Sequence, residues 1–349
     1  MTGLKSSMPL VARRDFMRGG AAVVGGAAAA SLISVAHASS HGAEVSMQLG
    51  WLASNGILGE VVAKSKGYYG EEGIELSVTP GGPGVDGVAS VAAGRAGVGQ
   101  LSSSPSLMLA RSAGVPVKAF AAGFQKHPFT YFSLANNPIN TPQDMVGQTI
   151  ATQPTAVILL RALLAKNGIS EEDVEIVNMG SDMNQLLTGQ AAAVTGWQTN
   201  TNALKILGED RVDMMLWDAG IQLYANVYYT TDNMLRDHSD VLARFLTGSA
   251  RGWGYARQNP VEAAEMLVGE YPILDLASEL EAVGPVLGFS FNEVTQENGW
   301  AAMNEANWQA QLDIYSQLGQ FEGDVPGLGD VMTSEILGAT ETVRKQVAA

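Results

Sequence analysis

An α/β fold built from two successive series of strands and helices is what this sequence predicts, and three observations carry the prediction. The chain has 349 residues, room for about two domains at roughly 150 residues each. Short strand-like segments alternate with helical ones through most of its length, a pattern that implies mainly parallel sheets with covered faces. An Asn- and Pro-rich stretch, Asn136 to Pro142, interrupts the alternation and reads as a passage from one series to the next.

The elements follow in order. Val45 to Trp51 alternates apolar and polar residues as a half-buried strand does. Ile57, Leu58, Val61 and Val62 fall at helical spacing within Gly56 to Lys66, and Gly67 stops that helix. Glu75 to Thr79 is a second strand, closed by Pro80-Gly81-Gly82-Pro83-Gly84. A short helix over Asp86 to Ala93, a strand over Ala96 to Leu101, a helix over Pro105 to Ser112 and a strand over Val117 to Ala122 complete the first series. The second places strands at Thr149 to Thr152, Val174 to Val177, Ala192 to Gly196 and Met214 to Trp217. Helices stand between them at Ala156 to Asn167 and Asp182 to Thr188. Tyr224 to Thr230 reads as the return crossing. From Ser239 onward the pattern is helical: 241–258, 260–270, 279–287, 304–318 and 330–342. Pro260 sits at a helix start, where its missing N–H costs little.

Composition excludes several classes of function. Hydrophobic residues make up 46% and charged residues 16%, enough for a core and no case for disorder. The formal net charge is −15, so nucleic acid and anionic membrane surfaces, which need a basic stripe, are not expected partners. There is no cysteine, which removes disulfides, thiolate metal sites, cysteine nucleophiles and a cysteine-linked lipid anchor together. Neither a cofactor nor a metal site is expected.

The N-terminus carries an export pattern. Arg13-Arg14-Asp15-Phe16-Met17 is a twin-arginine motif, Gly19 to Val35 an apolar run, and Ala36-His37-Ala38 a small-residue cleavage site. The run is shorter than the roughly 20 residues a bilayer span needs. A cleaved Tat signal over 1–38 follows as the expectation, and its net charge of +3 would leave the mature chain at −18.

Five segments resemble a known family. Lys66-Gly67-Tyr68-Tyr69 with Glu72-Gly73-Ile74 is similar to the helix-to-strand turn that opens the binding proteins for nitrate, sulfonates, taurine and thiamine-pyrimidine precursors. Ala93-Gly94-Arg95-Ala96-Gly97-Val98-Gly99 resembles the next motif, with Gly97 in place of the usual Asp. Ala113-Gly114-Val115-Pro116-Val117, Thr141-Pro142-Gln143-Asp144-Met145-Val146-Gly147 and Arg251-Gly252-Trp253-Gly254-Tyr255 with Asn259-Pro260 follow in the family's order. Trp197 and Asp218-Ala219-Gly220 resemble the pyrimidine-precursor branch most. The resemblance implies the type II periplasmic binding protein fold, two lobes linked by a hinge with a ligand cleft between. Lobe one would take 39–135 and 231–349, lobe two 136–230. It also implies a monomeric periplasmic receptor that hands a small-molecule ligand to the permease of an ABC importer.

Ligands of open α/β sheets bind beyond the carboxyl ends of strands. The candidate ligand-binding residues are therefore Trp51, Asn55, Gly82, Ser102, Ser103, Gln153, Thr155, Asp182, Trp197 and Asn200, with Tyr224 and Tyr228 near the return crossing. Trp51 and Trp197 end strands of different series, and two such rings can sandwich a flat heterocycle. Ser102-Ser103-Ser104-Pro105 caps a helix and offers hydroxyls. Gly82 permits close backbone approach. These segments hold no Lys or Arg, whereas an arginine clamp is the common device for anions. That favours a neutral or mildly cationic ring, for which Asp182 or Asp218 could accept a hydrogen bond. The alternatives are a sulfonate, taurine or flavin receptor. An enzyme that makes the pyrimidine, as eukaryotic relatives of that branch do with a cysteine-rich motif, is disfavoured by the missing cysteines.

Overall fold

A computed structural model of the chain describes residues 42–82, 85–180 and 182–349. The signal expected over 1–38 lies outside them. Two five-stranded sheets organise the rest. The first has strand order β2-β1-β3-β10-β4, the second β7-β6-β8-β5-β9. Their strands are β1 Ala43–Leu49, β2 Ile74–Thr79, β3 Val98–Leu101, β4 Val117–Phe124, β5 Phe129–Leu134, β6 Thr149–Thr152, β7 Glu175–Asn178, β8 Ala193–Trp197, β9 Arg211–Met215 and β10 Ala225–Thr231.

Each sheet is parallel except for one strand. β10 runs antiparallel between β3 and β4, and β5 antiparallel between β8 and β9. Both are the strands that arrive from the other sheet. The chain leaves the first sheet at Phe124 and enters the second at Phe129; it leaves the second at Met215 and returns at Ala225. The first passage is only residues 125–128, which reach roughly 18 Å when extended. The carboxyl ends of the parallel strands in the two sheets are therefore held facing each other.

Tyr224 to Thr230 is not the crossing itself; all but its first residue form β10, whose ladder positions are buried on both sides. β5 was not anticipated, and the passage falls at 125–128 rather than 136–142. Phe129-Thr130-Tyr131-Phe132-Ser133-Leu134 is rich in strand-favouring residues. As a central strand it is buried on both faces and shows no alternation.

Helices cover the sheets. β1 turns Val45, Met47 and Leu49 into a core shared with helices Leu58–Ser65 and Ser239–Gln258. Those two helices cross at Gly59 and Gly252. A Cβ on Gly252 would overlap the Gly59 carbonyl oxygen, and one on Gly59 would overlap the Trp253 ring. Beneath the other face lies a second core, with Leu107, Met108, Trp308 and Tyr315. It continues unbroken through Phe129, Tyr131, Leu216 and Tyr224 to Leu159, Leu160 and Leu163 of helix Val157–Lys166. One apolar seam thus underlies both sheets. The 330–342 segment is three short helices, not one: Leu328–Val331, Glu335–Ala339 and Glu341–Ala348.

Candidate binding site

Two passages join the sheets, and hydrogen bonds and an ion pair fix both. Gln125 anchors the first: its N–H donates to the Phe289 carbonyl at 2.8 Å, and its side chain donates to the Ala122 and Ala302 carbonyls. The second passage is tied to the start of helix Ser104–Ser112, where the Ser104 N–H donates to the Tyr224 carbonyl at 3.1 Å and the Tyr224 N–H donates back to Ser104 Oγ at 3.2 Å. Lys126 and Asp218 join the passages through an ion pair of 2.9 Å. Asp218 thus has Lys126 as a partner on Oδ1.

Trp197, the last residue of β8, stands beside the first passage, half-buried. Its ring lies 5.9 Å from Phe124 at the end of β4 and 5.5 Å, edge to face, from His127 in the first passage. An aromatic wall from the second sheet thus meets the first sheet at the hinge. Trp51 follows β1, half-buried, with its carbonyl accepting from the Gly81 N–H at 2.9 Å. Ser102 and Ser103 follow β3; Ser102 is half-buried and Ser103 buried. Gln153 lies at the end of β6, half-buried, and donates to the Gly180 carbonyl. Thr155 and Asn200 are exposed, and Asp182 accepts from the Asn184 N–H at 2.9 Å on the surface.

Four expected site residues are engaged elsewhere. Tyr228 lies deep in the first core with its hydroxyl donating to Glu60. The period-2 register of a central strand sends it to that face rather than to the cleft. Tyr224 is buried against Trp308, and its hydroxyl accepts from the Asn304 N–H at 2.9 Å. Asn55 is buried, and its amide donates at 3.0 Å each to the Thr199 carbonyl and to Glu279 Oε2. It joins the first lobe to the second instead of facing solvent. Gly82 has φ 150° and packs against Leu52. The neighbouring Gly81 allows close approach to the backbone of Leu49 to Trp51, so the tight turn serves the chain itself.

The same seam carries further contacts across the cleft. Thr201 Oγ1 donates to the Ser278 carbonyl at 2.8 Å, and Lys205 Nζ donates to Ser278 Oγ at 3.0 Å and pairs with Glu281 at 3.4 Å. These bring lobe two against helix Leu276–Ser290. A recess of about 370 Å³ beside them holds Lys205 and Arg211. Both cations are neutralised in place, Lys205 by Glu281 and Arg211 by Asp213 at 2.9 Å.

His127 lies in the first passage, and a lone His carries no spacing signature in the sequence. It is fully buried, and its Nδ1 accepts from the Phe129 N–H at 3.1 Å. With that lone pair used, the neutral ring carries its proton on Nε2. Burial holds the imidazole far below its ordinary range, at about 3, against a weaker opposing effect of the Ser102 carbonyl. The Nε2–H faces the Ser102 carbonyl outside good hydrogen-bond geometry, and Ser103 Oγ has no hydrogen-bond partner.

Residues 54–263 match the family model described as NMT1/THI5 like. The chain belongs to the NMT1/THI5-like family. Among curated proteins it is 26% identical over 256 residues to the riboflavin-binding protein RibY of Chloroflexus aurantiacus, covering 71% of this chain and 73% of that one. It is 27% identical over 270 residues to the formylaminopyrimidine-binding protein of Halalkalibacterium halodurans, covering 74% and 81%. Among solved structures it superimposes on the alkanesulfonate-binding protein SsuA of Xanthomonas axonopodis pv. citri, bound to MOPS, with a TM-score of 0.64 at 14% identity over 83% of this chain and 98% of that one. The desulfurization enzyme DSZB shares the architecture, with a TM-score of 0.56 at 15% identity over 85% and 98%. The two-lobed periplasmic binding protein fold is thus established for this NMT1/THI5-like chain. The two relatives similar in sequence are named as binding proteins, while the fold itself also carries an enzyme. Among the described residues no helix is long and apolar enough to cross a membrane.

Proposed function

We propose that this NMT1/THI5-like protein is the solute-binding receptor of an ABC-type importer, exported through the twin-arginine pathway, and that it holds a small planar heteroaromatic ligand between its lobes without transforming it. The observation that carries this is Trp197: a half-buried ring from the second sheet, backed by Phe124 and His127 at the hinge. Together with Trp51 after β1 it gives each lobe one aromatic surface at its strand ends. A flat π-system is what such surfaces bind best. The names of the two sequence relatives, a riboflavin-binding and a formylaminopyrimidine-binding protein, support a heteroaromatic ligand. Ser102, Ser103 and Gln153 supply polar groups at the edges of the site, with Thr155, Asp182 and Asn200 at its mouth. The missing cysteines argue against the pyrimidine-making chemistry.

A thermal-shift screen of the mature protein against riboflavin, formylaminopyrimidine, taurine and an alkanesulfonate tests this. Stabilisation by a heteroaromatic compound is the expected result. Stabilisation by the sulfonates alone would overturn the aromatic ligand class, and turnover of any bound pyrimidine would overturn the receptor function.

A further inference from the structure

We infer that the first turns of helix Leu276–Ser290 form a clasp. They hold the segment that follows Trp197 through protein groups alone, keep the two lobes together before a ligand arrives, and must let go for one to enter. The clasp stands on contacts independent of the ligand; its role as a gate rests on the receptor function proposed above.

Three observations converge on it. First, the contacts are concentrated. Helix Leu276–Ser290 belongs to the first core through Val283, Val286 and Phe289, whereas residues 199–205 follow β8 of the second sheet. Within that one segment the Thr199 carbonyl accepts from the Asn55 amide, Thr201 Oγ1 donates to the Ser278 carbonyl, and Lys205 Nζ donates to Ser278 Oγ and pairs with Glu281. Second, the receiving end is set in advance. Ser278 is 1% exposed, and Asp275 Oδ1 accepts both its N–H at 2.9 Å and its hydroxyl proton at 2.6 Å. With that proton committed, Ser278 Oγ can only accept, which is what the Lys205 ammonium requires. The carbonyl and Oγ of one fixed residue thus meet two donors from the other lobe. Third, the joint is polar and reaches solvent. Lys205 and Glu281 are both exposed at one side, and the recess beside them is lined from both lobes, by Gln198, Thr201 and Arg211 on one and Pro285 on the other. Water can replace each bond as it breaks, so each adds only modest net stability. Such a joint biases an opening equilibrium without freezing it, and minor states of this kind are typically ~0.1–10% populated.

The chain has no cysteine, so a pair of spin labels can be placed cleanly on the full mature protein. Glu172→Cys, exposed beyond the second sheet, and Glu265→Cys, exposed on helix Pro260–Glu270 against the first core, carry them. Double electron–electron resonance then reads the distance between lobes with no ligand added. The labelled parent is expected to show one dominant distance. Lys205→Glu sets like charges against each other at Glu281 and is expected to make a longer distance dominant; adding Glu281→Lys restores the pair and the parent distance. Thr201→Val removes a donor at nearly constant shape and is expected to add a longer population by itself. Melting temperatures report folding separately. Stopped-flow mixing with riboflavin and with formylaminopyrimidine follows entry, which Lys205→Glu is expected to speed by about tenfold as the open fraction rises. Distances that are the same in all these proteins, or that Glu281→Lys fails to restore, would overturn the clasp. Longer distances with an unchanged association rate would overturn the gate alone. If the parent binds neither compound, the receptor function falls, and the ligand-free distances still decide the clasp.

Discussion

Trp197 and Glu60 show how differently two half-hidden signals act at the scale of single residues. Trp197 ends β8 against Phe124 and His127, so its substitution should act on binding before stability. Trp197→Ala is expected to cost roughly 1–3 kcal/mol of ligand affinity, measured by titration calorimetry. Glu60 acts on stability. It is buried among Tyr228 and Trp253, which donate to Oε1, while Oε2 has no partner. Burial pushes its carboxyl up to about 7, against those hydrogen bonds. Between its unfolded value of 4.5 and about 7 the folded protein keeps a proton the unfolded chain has released. Glu60 therefore contributes stability that is fully present below 4.5 and is lost as pH rises through about 7, a swing on the order of a few kcal/mol. Urea unfolding of Glu60→Gln at a series of pH values should show that slope removed. An unchanged slope would mean the carboxyl is ionised in the core.

Helix crossing decides more at the scale of elements. Helix Leu58–Ser65 packs onto helix Ser239–Gln258 only because Gly59 and Gly252 bring their backbones together. Gly252→Ala drives a methyl into the Gly59 carbonyl and is expected to destabilise by about 3 kcal/mol or more. Chemical denaturation measures it, with ligand affinity per folded molecule unchanged. The sequence exposes elements of this kind unevenly. β1, β2 and β6 were legible because alternation or turn residues mark them, and β6 matches at both ends. β5 and β10 were not, because a strand buried on both faces has no period. Missing β5 moved the expected passage from 125–128 to 136–142. Tyr228 was misplaced for a related reason: a strand's facing depends on register with its neighbours, which no local pattern states. Trp253, Trp300 and Trp308 are fully buried and Trp217 is half-buried.

At the scale of the whole molecule, short passages and a polar seam couple the lobes. Asn55, Glu279, Ser278, Thr201 and Lys205 lie along the contact between them. Burial raises the Glu279 carboxyl, opposed by the Asn55 amide, so the seam holds a carboxylate that needs its partner. Asn55→Ala removes the cross-lobe hydrogen bond to the Thr199 carbonyl and the bond to Glu279 within the first lobe. It is expected to enlarge the radius of gyration of the ligand-free protein in small-angle scattering and to weaken binding several-fold, because closure then draws on ligand contacts alone. An unchanged radius would show that the apolar seam, not this latch, sets the closed state. None of these partners stands near Asn55 in sequence, which is why it looked like a free strand-end amide. The ordered motifs fared better, since each marks a local turn, and together they locate the family and its fold.

The central claim is that a planar heteroaromatic ligand sits between the lobes against Trp197. Calorimetric titration of the mature protein and of Trp197→Ala with riboflavin and formylaminopyrimidine tests it most directly. The account predicts one-to-one binding of at least one of these compounds to the mature protein and a loss of roughly ten- to hundredfold in the variant. Binding of neither compound, or equal affinity in both proteins, would contradict it.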